Sequence, residues 1–277
     1  MPSRRAIGVG LIGCGTVGSG VLQLLGDMAE FYEQRIGAAF EVRRVLVRDL
    51  NRDRSDVPVS SAALTDDVEA FFATEMQVVI EMAGGTAVLP QVQRALTMGK
   101  HVITANKSLL AGHGPELFAM ARKHGVAVAF EASCGGGIPI ITALKFGLMA
   151  NRIEALYGIL NGTCNYILTA MTQQGKDYAT ALGEAQTAGF AEADPAMDVS
   201  GRDAAEKLAI LASLAFQVRV DPETVSYEGI DGLDLTDIRF GAELGYDTKL
   251  LAIAQRCDTD GRSGLNLRVR PCLIHAD

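Results

Sequence analysis

The chain has 277 residues, 48% of them hydrophobic, with five cysteines and a formal net charge of −8. That length and apolar content can bury a large core, as one large or two medium domains. The negative charge argues against nucleic acid or an anionic membrane as partner. No window approaches the roughly eighteen uninterrupted apolar residues of a membrane span. Met1-Pro2-Ser3-Arg4-Arg5 leads into a short apolar run, but Gly8, Gly10, Gly13, Gly15 and Gly18 are too dense for an apolar targeting helix. Cys14, Cys134, Cys164, Cys257 and Cys272 are scattered, odd in number and without a C-x-x-C pair. Neither a disulfide framework nor a zinc site is indicated, and a reducing cytoplasm is the expected compartment.

The first half alternates strand-like and helix-like runs, the pattern of an α/β fold with a parallel sheet. Strands are expected at Ala6–Ile12, Glu41–Val47, Val78–Met82, His101–Ala105 and Val126–Glu131, and helices at Thr16–Met28, Thr65–Ala73, Ala87–Met98 and Glu116–Lys123. Around Ser133–Pro139 the texture changes at a glycine-rich hinge, which a helix-like run follows through Met149. Beyond it the reading is α+β. A strand near Ile153–Leu160 precedes helices at Asn165–Gln173, Tyr178–Ala188 and Asp203–Phe216, then strands near Lys249–Gln255 and Leu265–Ile274. The expected division is residues 1–137 and 138–277.

Gly13-Cys14-Gly15-Thr16-Val17-Gly18 is G-x-G-x-x-G, directly after an apolar strand and opening a helix. The first glycine permits the turn, the second lets backbone approach a pyrophosphate, and the third lets helix pack on strand. A helix N-terminus then presents N–H groups to the phosphates. In this context the motif points to a Rossmann-type dinucleotide domain, although glycines also simply tighten loops. The second strand ends Val45-Leu46-Val47-Arg48-Asp49, a cation before the carboxylate. Arg48 is either an acceptor of a ribose 2′-phosphate, assisted by Arg52 or Arg54, or a solvated loop arginine. The expectation is NADP, with NAD the other option.

The stretch from Gly189 to Lys207 threads Glu192, Asp194, Asp198, Asp203 and Glu206 through a Gly/Pro loop into an apolar helix. Asp203 and Lys207 are four apart, on one face of that helix. A ligand with an amine and a reactive oxygen would find here a carboxylate cradle and a proton source. Two plainer readings compete: Ser200 to Asp203 fits a capping box, and Asp203 with Lys207 fits an exposed ion pair.

The order Gly, Glu, Asp-Pro, Asp, Gly and Asp-x-x-x-Lys over residues 189–207 resembles the signature of homoserine dehydrogenases. Gly84-Gly85-Thr86, Thr104-Ala105-Asn106-Lys107, Phe130-Glu131-Ala132-Ser133 and Gly158-Ile159-Leu160-Asn161-Gly162-Thr163-Cys164-Asn165 are similar to that family's motifs and fall in its order. The resemblance implies a proton-donating lysine at Lys207 with Asp203 beside it. It implies a glutamate for the substrate amine at Glu192, further substrate contacts at Asp198 and Lys107, and cofactor contacts at Gly84, Thr86, Lys107 and Gly189. It also implies a monovalent cation site, usually sodium, at Glu131, Cys134, Gly136 and Ile138. Cys134 stands where valine is common, which matters little if its carbonyl is the ligand, since oxygen suits a hard cation and thiol does not. A hinge carboxylate bound to loop amides is the plainer reading of Glu131.

The implied reaction is reversible hydride transfer between a nicotinamide and C4 of homoserine, giving aspartate 4-semialdehyde. A nucleotide-binding sensor or inactive fragment is the competing class, and a different semialdehyde reductase is the competing enzyme. Family members continue past sequences like Arg270-Pro271-Cys272-Leu273-Ile274 with further strands of a dimer-forming sheet and a final helix. The chain is therefore expected to be C-terminally incomplete, with a homodimer the state of a completed one.

Overall fold

A computed structural model describes residues 5–259 and 262–276. The chain divides into two compact units, Met1–Gly137 and Ile138–Asp277. In the first unit the elements are β1 (Ala6–Ile12), α1 (Thr16–Asp27), α2 (Ala29–Ile36), β2 (Ala39–Leu46), β3 (Leu64–Thr65), α3 (Val68–Ala73), β4 (Val78–Glu81), α4 (Leu89–Thr97), β5 (His101–Thr104), α5 (Lys107–Lys123) and β6 (Val128–Ala129). The six strands form one sheet in the order β3-β2-β1-β4-β5-β6, and every neighbouring pair is parallel. This is the doubly wound Rossmann order, whose direction reverses beside β1. Val9, Leu11, Val45, Val79 and Val102 are buried along its central strands.

Two departures from the sequence expectations have local causes. Helix α2 has no buried residue and so no apolar stripe to announce it. Glu30 in its first turn, Arg35 in its last and the left-handed cap at Gly37 hold it instead. Helix α5 begins at Lys107 rather than Glu116: Gly112, Gly114 and Pro115 read as breakers, yet the Asn106 side chain caps the helix by accepting from the Leu109 amide.

The second unit contains α6 (Ile140–Thr142), which continues as a π-helical turn over Ala143–Gly147, then β7 (Ala155–Gly158), α7 (Gly162–Gln174), α8 (Tyr178–Thr187), α9 (Ala196–Val199) and α10 (Arg202–Phe216). It ends with β8 (Ser226–Tyr227), α11 (Leu235–Glu243), β9 (Tyr246–Thr259) and β10 (Arg262–His275). The sheet order is β7-β9-β10-β8; β9 and β10 form a long antiparallel hairpin and β8 adds a short parallel edge. Helix α11 was not expected, because Ile238 and Gly241 alone are buried and Asp234 supplies its cap. Helices α7, α10 and α11 pack on β9. Leu208, Ala209, Leu211, Ala212 and Ala215 make α10 the apolar spine of this unit, so a side chain on it is held by a well-packed element.

Candidate functional site

In the first unit the glycine loop lies at the C-terminal end of β1, where the sheet order reverses and open α/β sheets take their ligands. Gly13 has φ 91°, and a Cβ there would sit 2.7 Å from the Ala83 backbone, so the turn needs glycine. A Cβ on Gly18 would lie 2.1 Å from the Gly13 carbonyl oxygen, so α1 can approach its own turn only without one. Gly15 differs. Its chain neighbours aside, no atom of the described residues lies within 4 Å of its missing Cβ. Packing within the chain gives no reason for glycine there, whereas close approach by a pyrophosphate does. Gly15 is also the N-cap of α1 and no side chain caps that end, leaving the amides of Thr16, Val17 and Gly18 without a side-chain acceptor.

Past the end of β2, Arg48 and Asp49 are both exposed, and Asp49 Oδ1 accepts from the Asn51 amide at 2.8 Å. In the loop that follows, Arg54 Nε is shielded and has no hydrogen-bond partner among the described residues.

A network that the sequence reading did not single out lies at the ends of β4 and β5. Glu81 is fully buried. Its Oε1 accepts from the Ala83 and Gly84 amides at 2.8 and 3.0 Å, and its Oε2 accepts from the Thr104 hydroxyl at 2.6 Å. The same hydroxyl accepts from the Asn106 amide, and Asn106 Nδ2 donates to the Gly85 carbonyl at 2.6 Å. Gly84 and Gly85 both have positive φ, with Thr86 next. Lys107 follows Asn106 as the first residue of α5. A cation at the positive end of a helix dipole does not stabilise the helix. The available signal was a charged residue ending an apolar strand before Gly-Gly.

In the second unit Asp203 and Lys207 stand one turn apart on α10. Lys207 Nζ donates to Asp203 Oδ2 and to the Leu160 carbonyl, both at 2.8 Å. Side-chain exposures of 4% for Asp203 and 20% for Lys207 exclude the surface ion-pair reading. The capping-box reading fails as well. The N-cap of α10 is Gly201 at φ 85°, outside the extended region of a capping residue, and it has no side-chain cap.

Asn161 joins this pair to Asp198. Its Nδ2 donates to Asp198 Oδ1 and Asp203 Oδ2, each at 2.8 Å, while its Oδ1 accepts from the Cys164 amide and caps α7. Thr163 Oγ1 donates to Asp198 Oδ2 at 2.9 Å and the Cys164 thiol to the Asp198 carbonyl at 3.1 Å. Both Asp198 oxygens thus accept from within the unit, and the aspartate holds the start of α7 against α9 and α10. Burial, followed by the nearby charges of Asp198, Asp203 and Asp231, pushes the Cys164 thiol up to about 12. Asn161 and Thr163 were not among the expected site residues. Their motif was visible, but nothing in its spacing shows that α7 starts beside α10.

Glu192 is exposed, on the loop between α8 and α9 that begins at Gly189, whose φ is 77°. Phe190 on that loop stacks on Tyr166 of α7 with ring centroids 4.9 Å apart. Glu131 opens a short 3-10 turn, Cys134 is buried, and Gly135 and Gly136 are both left-handed; Ile138 begins the second unit. Among the described residues no group of three or more His, Cys, Asp and Glu side chains could hold a metal. No helix among the described residues is long and apolar enough to cross a membrane.

A family model described as "Homoserine dehydrogenase, NAD binding domain" matches residues 13–131, and one described as "Homoserine dehydrogenase" matches residues 139–277. The chain belongs to the homoserine dehydrogenase family. It is 45% identical to the homoserine dehydrogenase of Bacillus subtilis over 98% of its own length and 62% of that protein. A crystal structure of a homoserine dehydrogenase from Thiobacillus denitrificans superposes with a TM-score of 0.89 at 44% identity, over 98% of this chain and 62% of that one. A putative homoserine dehydrogenase from Archaeoglobus fulgidus gives a TM-score of 0.85 at 34% identity, over 97% and 84%. The chain spans about three-fifths of the length of the first two of these relatives.

Proposed function

We propose that this chain carries out homoserine dehydrogenase chemistry: NADP-linked, reversible hydride transfer between L-homoserine and L-aspartate 4-semialdehyde. In that role it would serve the aspartate-derived route to threonine, methionine and isoleucine in the cytoplasm. Residues 1–137 would hold the dinucleotide and residues 138–277 the substrate. A homodimer is the expected state of a completed chain. The observation that carries the reading is Lys207, fixed by Asp203 and Leu160 on a buried helix that the Asn161 network braces.

A bound nicotinamide supplies or accepts the hydride. Gly13, Gly15 and the amides of Thr16, Val17 and Gly18 would receive its pyrophosphate, with Gly84, Thr86, Lys107 and Gly189 lining the rest. The space at Gly15 supports this fit. Arg48, exposed just past the end of β2, would meet a ribose 2′-phosphate, which favours NADP over NAD. Glu192 would bind the substrate ammonium, with Asp198, oriented by Asn161 and Thr163, as a further substrate contact.

Reduction of the aldehyde builds negative charge on its oxygen, and Lys207 meets that charge and gives up a proton. With Nζ held by Asp203 and the Leu160 carbonyl, Lys207 acts first as an electrostatic partner and then as donor. In the reverse direction the same lysine takes the hydroxyl proton. A sodium ion on Glu131 and the carbonyls of Cys134, Gly136 and Ile138 would brace the hinge segment.

The test is NADPH oxidation with aspartate 4-semialdehyde, on this chain and on one extended to its relatives' length. Turnover that depends on the semialdehyde supports the proposal. Tight NADPH binding without turnover in both would favour the sensor reading.

A further inference from the structure

Glu81 has no place in the proposed chemistry, yet it is the most completely buried carboxylate among the described residues. A buried charge is expensive unless it is fully hydrogen-bonded. Here three donors meet it, two backbone amides and one hydroxyl, and no described cation pairs with it. A glutamine would not serve equally. Its NH2 would face either the two amides, donor against donor, or the Thr104 hydroxyl, whose proton would then lose the oxygen it now donates to. The site asks for a group that only accepts.

The bonds close into a ring. Glu81 holds the Gly84 amide, Thr104 bridges Glu81 to Asn106, and Asn106 holds the Gly85 carbonyl. The Gly84-Gly85 turn, left-handed at both residues, and the first turn of α5 are thereby fixed to one buried anion. Without it, two consecutive left-handed glycines would be among the most mobile backbone in the unit. The residues on either side of the ring are Thr86 and Lys107.

We propose that Glu81 is a positioning residue: through the Thr104–Asn106 ring it presets the Gly84-Thr86 turn and Lys107 for the nicotinamide half of the dinucleotide. The pyrophosphate and adenosine part, received at the glycine loop after β1 and at Arg48 in the proposed reading, meets none of the ring's residues and should feel its loss far less. This rests on the dinucleotide reading above.

The test compares the affinity of the full chain for NADPH and for 2′-phospho-ADP-ribose, which lacks the nicotinamide, by calorimetry. In Glu81→Gln the NADPH dissociation constant should rise about ten-fold or more, the scale of hydrogen bonds to a charged group, while that for 2′-phospho-ADP-ribose stays within about two-fold. Thr104→Ser, which keeps the hydroxyl, should bind both ligands normally, and Thr104→Val should show the same selective loss as Glu81→Gln. Equal weakening of both ligands in Glu81→Gln and Thr104→Val, or no change in either, would overturn the proposal and leave Glu81 a general structural group. An unaltered chain that binds neither ligand would overturn the dinucleotide reading, and this proposal with it.

Discussion

Asn161 Nδ2 and Lys207 Nζ both donate to a single oxygen of Asp203, Oδ2, each at 2.8 Å. The carboxylate therefore does more than pair with the lysine one turn along. It ties the start of α7 to α10, and through Asn161 it is coupled to Asp198 on α9. A buried, hydrogen-bonded ion pair of this kind contributes little net stability but is damaging to break, which suits a group kept for its position.

Cys164 reports on this cluster through pH. Its folded-state thiol is raised from 9.0 to about 12, first by burial and then by the surrounding carboxylates. The protonated thiol's contribution to stability is fully present below the unfolded value and is lost as pH rises from 9.0 towards about 12. Denaturant melts across that window should fall less steeply for Cys164→Ser than for the unaltered chain. Parallel curves would place the thiol outside the charge cluster.

The glycine loop gives a second prediction, because two glycines of one motif differ in what surrounds them. Gly18→Ala puts a methyl 2.1 Å from the Gly13 carbonyl and should destabilise the fold by about 1–3 kcal/mol, the usual scale of overpacking. Gly15→Ala meets, beyond its chain neighbours, no atom of the described residues within 4 Å. It should melt normally and still lose NADPH affinity by roughly ten-fold or more, since about 1.4 kcal/mol is ten-fold in affinity. Normal binding by Gly15→Ala would remove the pyrophosphate from that place.

The sequence made the first unit legible almost strand by strand, because β1, β4 and β5 are short apolar runs ending in glycine or polar punctuation. It missed the two-residue strands β3 and β8, too short to show alternation (Thr65 was expected in a helix), and α2 and α11, which bury little and depend on caps and end charges that a periodicity reading undervalues. Asp203 and Lys207 were readable from their spacing of four. Asn161 and Glu81 were not, since each matters through contacts with residues 20 or more positions away. A polar residue at a strand end or helix cap looks the same in sequence whether it faces water or a buried carboxylate.

Glu192→Gln should chiefly weaken homoserine. It removes the proposed partner of the substrate ammonium while keeping the side chain's shape, and Glu192 is exposed, so folding should be unaffected. Charge-assisted hydrogen bonds contribute about 1.5–3 kcal/mol, so the KM for homoserine should rise roughly ten-fold or more with kcat less changed. A KM equal to that of the unaltered chain would assign Glu192 to loop structure alone.

The measurement that bears most directly on the central claim is homoserine-dependent NADPH formation by Lys207→Ala beside the unaltered sequence, both extended to the length of the relatives, with NADPH affinity measured on the same samples. Lys207 serves the reacting oxygen and the cofactor sits on the glycine loop. Turnover should therefore fall by at least about 10²-fold, the scale of a positioned acid or base, while NADPH affinity stays within about two-fold. A Lys207→Ala enzyme that turns over at a near-normal rate would contradict the account.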